Sequence, residues 1–254
     1  MAWIYRIVLV LAVLAGSGCA VPIVSERQLE VESEQEFQKM RTQMVESRDA
    51  RTISYVQCVS RAILAEIEEP YSSLDWEVVV FEDEAVNAFA LPGGNIGVFT
   101  GLLKVAENQD QLSAVIGHEV AHVTEKHSVE RMNQAYTTQA GVVVAGAVLG
   151  GGQTTYDLVS MAAQLGLTLP YGRKQESEAD IVGLGYMARA GFDPRASVQL
   201  WKNMDKSGDA APPEFLSTHP SSTTRISDLI ANLPDALDEF NNAGAEGKHP
   251  SCSP

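Results

Sequence analysis

The feature that most constrains this chain is His118-Glu119-Val120-Ala121-His122, an H-E-x-x-H pentapeptide. It sits in a stretch where Leu112, Val115, Ile116, Val120 and Val123 recur at three and four. That spacing predicts a helix over 110–127 with one apolar side. On such a helix the two His lie one turn apart and about 40° apart around the axis, so both imidazoles can reach one ion. Glu119 is about 60° from His122 on the same side, which sets its carboxylate beside a water on the metal rather than on the metal itself.

A second helix is predicted over 175–190, ended by Gly191, and it carries Glu176-Ser177-Glu178-Ala179-Asp180. Glu176 and Asp180 are one turn apart and share a face, while Glu178 points away from Glu176. A catalytic zinc needs three protein ligands and an open fourth position, and Glu176 can be the third. Asp180 can then accept a hydrogen bond from the outer nitrogen of a ligating His. Ala179 and Gly183 are small enough to let this helix approach the His118 helix closely. The plainer reading is an acidic helix start that suits the helix dipole. A third His in the metzincin position is ruled out, because Glu125 and Ser128 stand there. His127 is one residue off and reads as a structural His in the last helical turn.

Lys plus Arg number 18 against 33 Asp plus Glu, a formal charge of -15, which argues against a nucleic-acid partner. Residues 1–18 hold one charge, Arg6, then the apolar run Ile7 to Ala15 and small residues before Cys19. This reads as a secretory leader, with Cys19 in the place where a bacterial lipoprotein is lipidated; a cleaved leader with a chance Cys is the alternative. Residues 19–35 then form a linker, 36–234 the main domain and 235–254 a polar tail that frays. An exported chain meets an oxidising compartment. There Cys58 and Cys252 either pair or remain a buried and a free thiol.

Elsewhere, 33–69 reads as helical, closed by Pro70. Trp76 to Phe81, Asn87 to Leu91 and Asn95 to Thr100, with a Pro92-Gly93-Gly94 turn, read as a small antiparallel sheet. Gly141 to Gly152 is apolar and Gly-rich, too short for a membrane span, and reads as a flap or a packed segment. Asp193-Pro194 starts another helix, and a last one over 223–233 stops at Pro234. The element order indicates one helix-dominated α+β domain.

The order of these motifs resembles the M48 metallopeptidases. Within that family it is most similar to bacterial periplasmic, lipoprotein-type members related to the outer-membrane assembly protease and the mitochondrial Oma1 peptidase. The resemblance rests on Asn87 to Gly94, Thr100-Gly101-Leu102, His118 to His122, Glu176 to Asp180, and Thr218-His219-Pro220 with Arg225. It implies a zincin domain of the gluzincin type with one zinc per chain on His118, His122 and Glu176, and Asp180 behind His118. It also implies that His219 lies over the metal, where it assists catalysis or holds the enzyme inactive. Arg225 would position that loop or contact substrate, although a surface ion pair reads as well.

The implied activity is a metalloendopeptidase, with Glu119 as the base, acting on protein or peptide substrates in the bacterial envelope. A lipid on Cys19 would anchor it in the periplasm to the outer membrane, near assembly partners. Asn95 to Thr100 is the expected strand for an extended substrate, and Gly141 to Gly152 the expected gate. A client-binding assembly factor that rarely cleaves shares every motif. A structural zinc module is disfavoured, because such sites use four Cys or His ligands and no adjacent base.

Overall fold

Local capping and one-sided burial set the helices. The computed structural model describes residues 23–207, Phe215, Ser217, His219 and 223–253; the leader, Cys19, Thr218 and Pro220 lie outside them. Helix α1 (Glu26–Gln43) buries Leu29, Ser33 and Phe37, a narrow stripe of three residues spaced at four on a polar helix. Helix α2 (Ala50–Leu64) starts at Asp49, whose side chain accepts from the Arg51 N–H, and buries Tyr55, Val56, Val59, Ser60 and Ile63. The single helical region expected over 33–69 is thus two helices. Between them Glu46 bridges to Phe81 at the sheet margin.

Strands β1 (Glu77–Phe81), β2 (Ala88–Leu91) and β3 (Asn95–Phe99) form one sheet in the order β1-β3-β2. β1 pairs with β3 in parallel and β2 with β3 antiparallel, so the sheet is mixed rather than wholly antiparallel. The connection from β2 to β3 is a tight turn, in which Gly93 and Gly94 take φ of 98° and 101°. Alternation along the strands sends Val80, Ala88, Ala90, Ile96 and Val98 into the main core. Val79, Phe81 and Phe99 join Phe37 in a smaller aromatic cluster on the other face.

Helix α3 (Gln109–Thr124) is capped by Asn108, which accepts from the Gln111 N–H, and is buried from Gln111 through Val123. It packs on α2, on β2 and on α7 (Arg195–Ser207). Lys126, at φ 59°, turns the chain, and His127 opens the next helix, α4 (His127–Val148), instead of closing the last turn of α3. The apolar Gly141 to Val148 segment is the end of α4, so most of the expected flap is helical. Helix α5 (Gln153–Ala163) follows, then a π-helical turn (Gln164–Thr168) and α6 (Leu169–Arg189). The last helix, α8 (Thr223–Ala245), runs straight through Pro234.

The described residues divide into two compact units, one within 26–128 and 174–253, the other 23–25 with 129–173. The larger unit is the helix-dominated α+β arrangement expected of a zincin-type domain. In it Cys58 and Cys252 are joined, with Cα atoms 5.7 Å apart. The tail that should fray is held further by Gln109, which donates to Pro250 O and accepts from Cys252 N–H at 2.9 and 2.7 Å. Among the described residues, no helix is long and apolar enough to cross a membrane.

Candidate active site

Two helices carry the site, and glycine brings them together. A Cβ on Gly117 of α3 would lie 2.8 Å from Gly183 O, and one on Gly183 of α6 would lie 2.7 Å from His118 N. Only glycine on both sides lets the backbones touch there. Beside this crossing α3 presents His118 and Glu119 and, one turn on, His122, while α6 presents Asp180 and, a turn further, Glu176. All five are buried.

His118, His122, Glu176 and His219 each offer a ligand atom, all within 4.8 Å of one another. His118 Nε2 is 3.1 Å from His122 Nε2 and 3.2 Å from His219 Nδ1. The Glu176 carboxylate is 3.4 Å from His118 Nε2, 3.5 Å from His122 Nε2 and 2.9 Å from His219 Nδ1. Ligands about 2.0–2.1 Å from a tetrahedral zinc stand roughly 3.3 Å from one another, so this donor set fits such an ion in number, type and spacing. Charge points the same way. Burial works against a charged His118, but hydrogen bonds to Asp180 and Glu176 outweigh it and push the ring up to about 9. Burial also opposes the Glu176 carboxylate, yet its bonds to His118 and His219 hold it far below the usual range. The cluster therefore calls for positive charge at its centre, which a cation or a proton can supply.

Each outer imidazole nitrogen is braced. Asp180 Oδ1 lies 3.0 Å from His118 Nδ1, as the one-turn spacing of Glu176 and Asp180 predicts. Arg225 grips the same carboxylate, donating from Nε to Oδ2 at 2.6 Å and from Nη2 to Oδ1 at 2.7 Å. Burial opposes the charged Asp180, and this fork outweighs it, holding the carboxyl below its ordinary value. Arg225 also donates to His219 O at 3.3 Å and lies over the Trp201 ring at 4.0 Å. It is buried, so it is not a surface ion pair.

His127 is the functional neighbour that sequence reasoning set aside. Its Nδ1 lies 2.8 Å from His122 Nδ1, and its Nε2 lies 3.6 Å from Glu178 Oε2. His122 is thus backed by His127 and Glu178 as His118 is backed by Asp180 and Arg225. The clue was the two-residue break between α3 and α4, which swings His127 back along α3; helical periodicity run through residue 127 hides it.

Glu119 points Oε2 at the Ala90 N–H of β2, 3.2 Å away. Its other oxygen, Oε1, is buried with no hydrogen-bond partner among the described residues and lies 3.4 Å from His219 Nε2. His219 therefore turns Nδ1 toward the donor cluster and Nε2 toward Glu119, its ring stacked on Phe215 at 4.6 Å. The expectation that a substrate strand adds to Asn95–Thr100 fails, because β3 is the central strand with both edges paired. The strand beside Glu119 is β2, whose outer edge carries no strand among the described residues.

The model of peptidase family M48 matches residues 50–232. This chain belongs to peptidase family M48. It is 40% identical over 190 residues to the mitochondrial metalloendopeptidase OMA1 of Schizosaccharomyces pombe, covering 73% of this chain and 54% of the relative. To human OMA1 it is 30% identical over 220 residues, covering 82% and 42%. To the beta-barrel assembly-enhancing protease of Yersinia pestis it is 29% identical over 215 residues, covering 81% and 42%. This M48 chain spans about half the length of the curated relatives it matches. The expected bacterial periplasmic, outer-membrane location is overturned, since relatives of higher identity are named as mitochondrial enzymes.

Proposed function

We propose that the chain is a zinc-dependent endopeptidase that hydrolyses peptide bonds in misfolded or misassembled proteins. The observation that carries this is the convergence of His118, His122 and Glu176 next to the buried Glu119 Oε1, which has no hydrogen-bond partner among the described residues. Family membership and relatives named as metalloendopeptidases support it. A zinc ion on those three residues would supply Lewis acidity, lowering the pKa of water and polarising a carbonyl.

The rest belongs to the chain's own groups. Glu119 Oε1 accepts the proton of the attacking water and returns it to the leaving amine nitrogen. The Ala90 N–H holds Oε2 and so fixes the direction of Oε1. Asp180 and His127 hold the two imidazoles with their inner nitrogens turned to the cluster. An extended substrate lies along the outer edge of β2 and pairs with it through main-chain hydrogen bonds. A lipid on Cys19 would tether the domain to a membrane. Mass spectrometry of the purified chain tests that attachment.

Replacing Glu119 by Gln keeps the shape and removes the base. The expected result is a loss of about a thousandfold or more in hydrolysis of a casein-type substrate, with metal content unchanged. Undiminished hydrolysis by Glu119→Gln would sink the assignment. A second reading is favoured by the place of His219, whose Nδ1 occupies the fourth donor position. In that reading the resting protein is self-inhibited, binds clients and seldom cleaves. His219→Ala separates the two: a rise in turnover supports self-inhibition, and a fall supports a catalytic role.

A further inference from the structure

Between Arg131 and Arg173 the chain holds one charged side chain, Asp157, although a fifth of all its residues are charged. This segment is a helical hairpin, with α4 as one leg and α5, the π-helical turn and the start of α6 as the other, called the α4–α5 hairpin below. Its legs are joined where the Tyr156 ring covers Gly146, so closely that a Cβ there would lie 2.2 Å from the ring, and where Tyr171 Oη donates to Glu130 at 2.6 Å. Eleven of the sixteen exposed large apolar residues of the described chain lie between Met132 and Leu169.

Their arrangement is regular. Leu158, Met161, Leu165 and Leu169 recur at three and four and are all exposed, and Gln153, Asp157, Ser160 and Gln164 form the polar side that flanks them. On the other leg, residues 141–149 carry no polar side chain on any side, and Val143, Val144, Val148 and Leu149 are exposed. A helix that is apolar all round belongs in a protein core or among acyl chains. A contact with a second copy would ask for one apolar stripe and leave a polar back on that leg. No described helix here can cross a membrane, so the fitting geometry is one that lies in the interface.

The chain's own start leads to this hairpin. Val24 and Asn133 exchange two hydrogen bonds, Val24 N to Asn133 Oδ1 at 2.9 Å and Asn133 Nδ2 to Val24 O at 3.0 Å. Nine residues separate Val24 from Ala15, the end of the apolar run, and five separate it from Cys19. A fully extended chain spans at most roughly 30 Å and 17 Å over those lengths. Membrane attachment through either, as proposed above for Cys19, therefore delivers the foot of the hairpin to the bilayer surface.

We infer that the α4–α5 hairpin is a membrane-binding element whose exposed apolar residues seat among the acyl chains of one leaflet, with the Gln153–Gln164 side facing water. The partner is the lipid bilayer itself. Because the segment is nearly uncharged, the interaction needs no anionic headgroups and depends little on salt.

Hydrogen–deuterium exchange on the full chain, with and without phosphatidylcholine vesicles, tests this. Exchange over 141–169 should slow at least tenfold on adding vesicles, equally at low and high salt. The double variant Met161→Glu/Leu165→Glu should lose that slowing while keeping its circular dichroism spectrum and its hydrolysis of a soluble peptide. Unchanged exchange over 141–169 with vesicles bound would overturn the inference. So would slowing that follows protein concentration in the absence of vesicles, because a second copy would then be what covers this face.

Discussion

Arg225 is only 2% exposed, and a guanidinium that deep needs a carboxylate matched to both of its edges. Asp180 provides it, and the pair in turn aims Asp180 at His118. Lys cannot reproduce a two-point grip, so Arg225→Lys should cost about 3–5 kcal/mol in urea unfolding, the usual cost of breaking a buried pair. Metal affinity, read by chelator competition, should fall about 10–100-fold with it. Retention of both by Arg225→Lys would show that charge alone suffices. His127 has the parallel place behind His122. His127→Phe should fill the same space and lower metal affinity about tenfold, with a smaller change in melting temperature. That His118 and His122, and Glu176 and Asp180, each share a helix face was legible from spacing within two helices. The bracing by Arg225 and His127 was not, because it joins residues on different elements or across a turn.

Two elements decide whether the ligands meet. Helices α3 and α6 cross at Gly117 and Gly183 with no room for a side chain. Gly183→Ala should therefore push the helices apart, costing about 1–3 kcal/mol and loosening the fit of Glu176 to the two imidazoles. Gly166 faces open space, so Gly166→Ala should be neutral or stabilise by up to about 1 kcal/mol through helix propensity. Thermal melts of the two variants check the contrast, and equal destabilisation by both would remove the crossing from the explanation. Small residues on the second helix announced a close approach before any coordinates; that the opposing residue is another glycine follows only from packing. Pro234 shows the reverse. Its side is exposed, the freed Ile230 carbonyl is beside an exposed side chain, and Leu229, Ala236 and Ala243 are buried, so packing carries the helix through a residue that propensity would end it at.

At the scale of the molecule, the Cys58–Cys252 bridge closes a loop over a sequence separation of 194. A loop of that length restricts the unfolded chain strongly, and Cys252→Ser should lower unfolding free energy by roughly 2–5 kcal/mol. Protease sensitivity should rise in the tail beyond Lys248, and a tail still protected after Cys252→Ser would mean that the Gln109 hydrogen bonds hold it unaided. The local chemistry was written in the chain order: a helix with two His one turn apart, a second with Glu and Asp one turn apart, and a base between the first pair. Those depend on helical periodicity, which is a property of neighbours along the chain. The sheet order that leaves β2 and not β3 at the edge came from folding alone. So did the grip of Arg225 on Asp180 and the choice between a paired and an unpaired Cys58 and Cys252, which the sequence left open. Each joins residues far apart in sequence, and no periodicity records a distance between segments that only packing brings together.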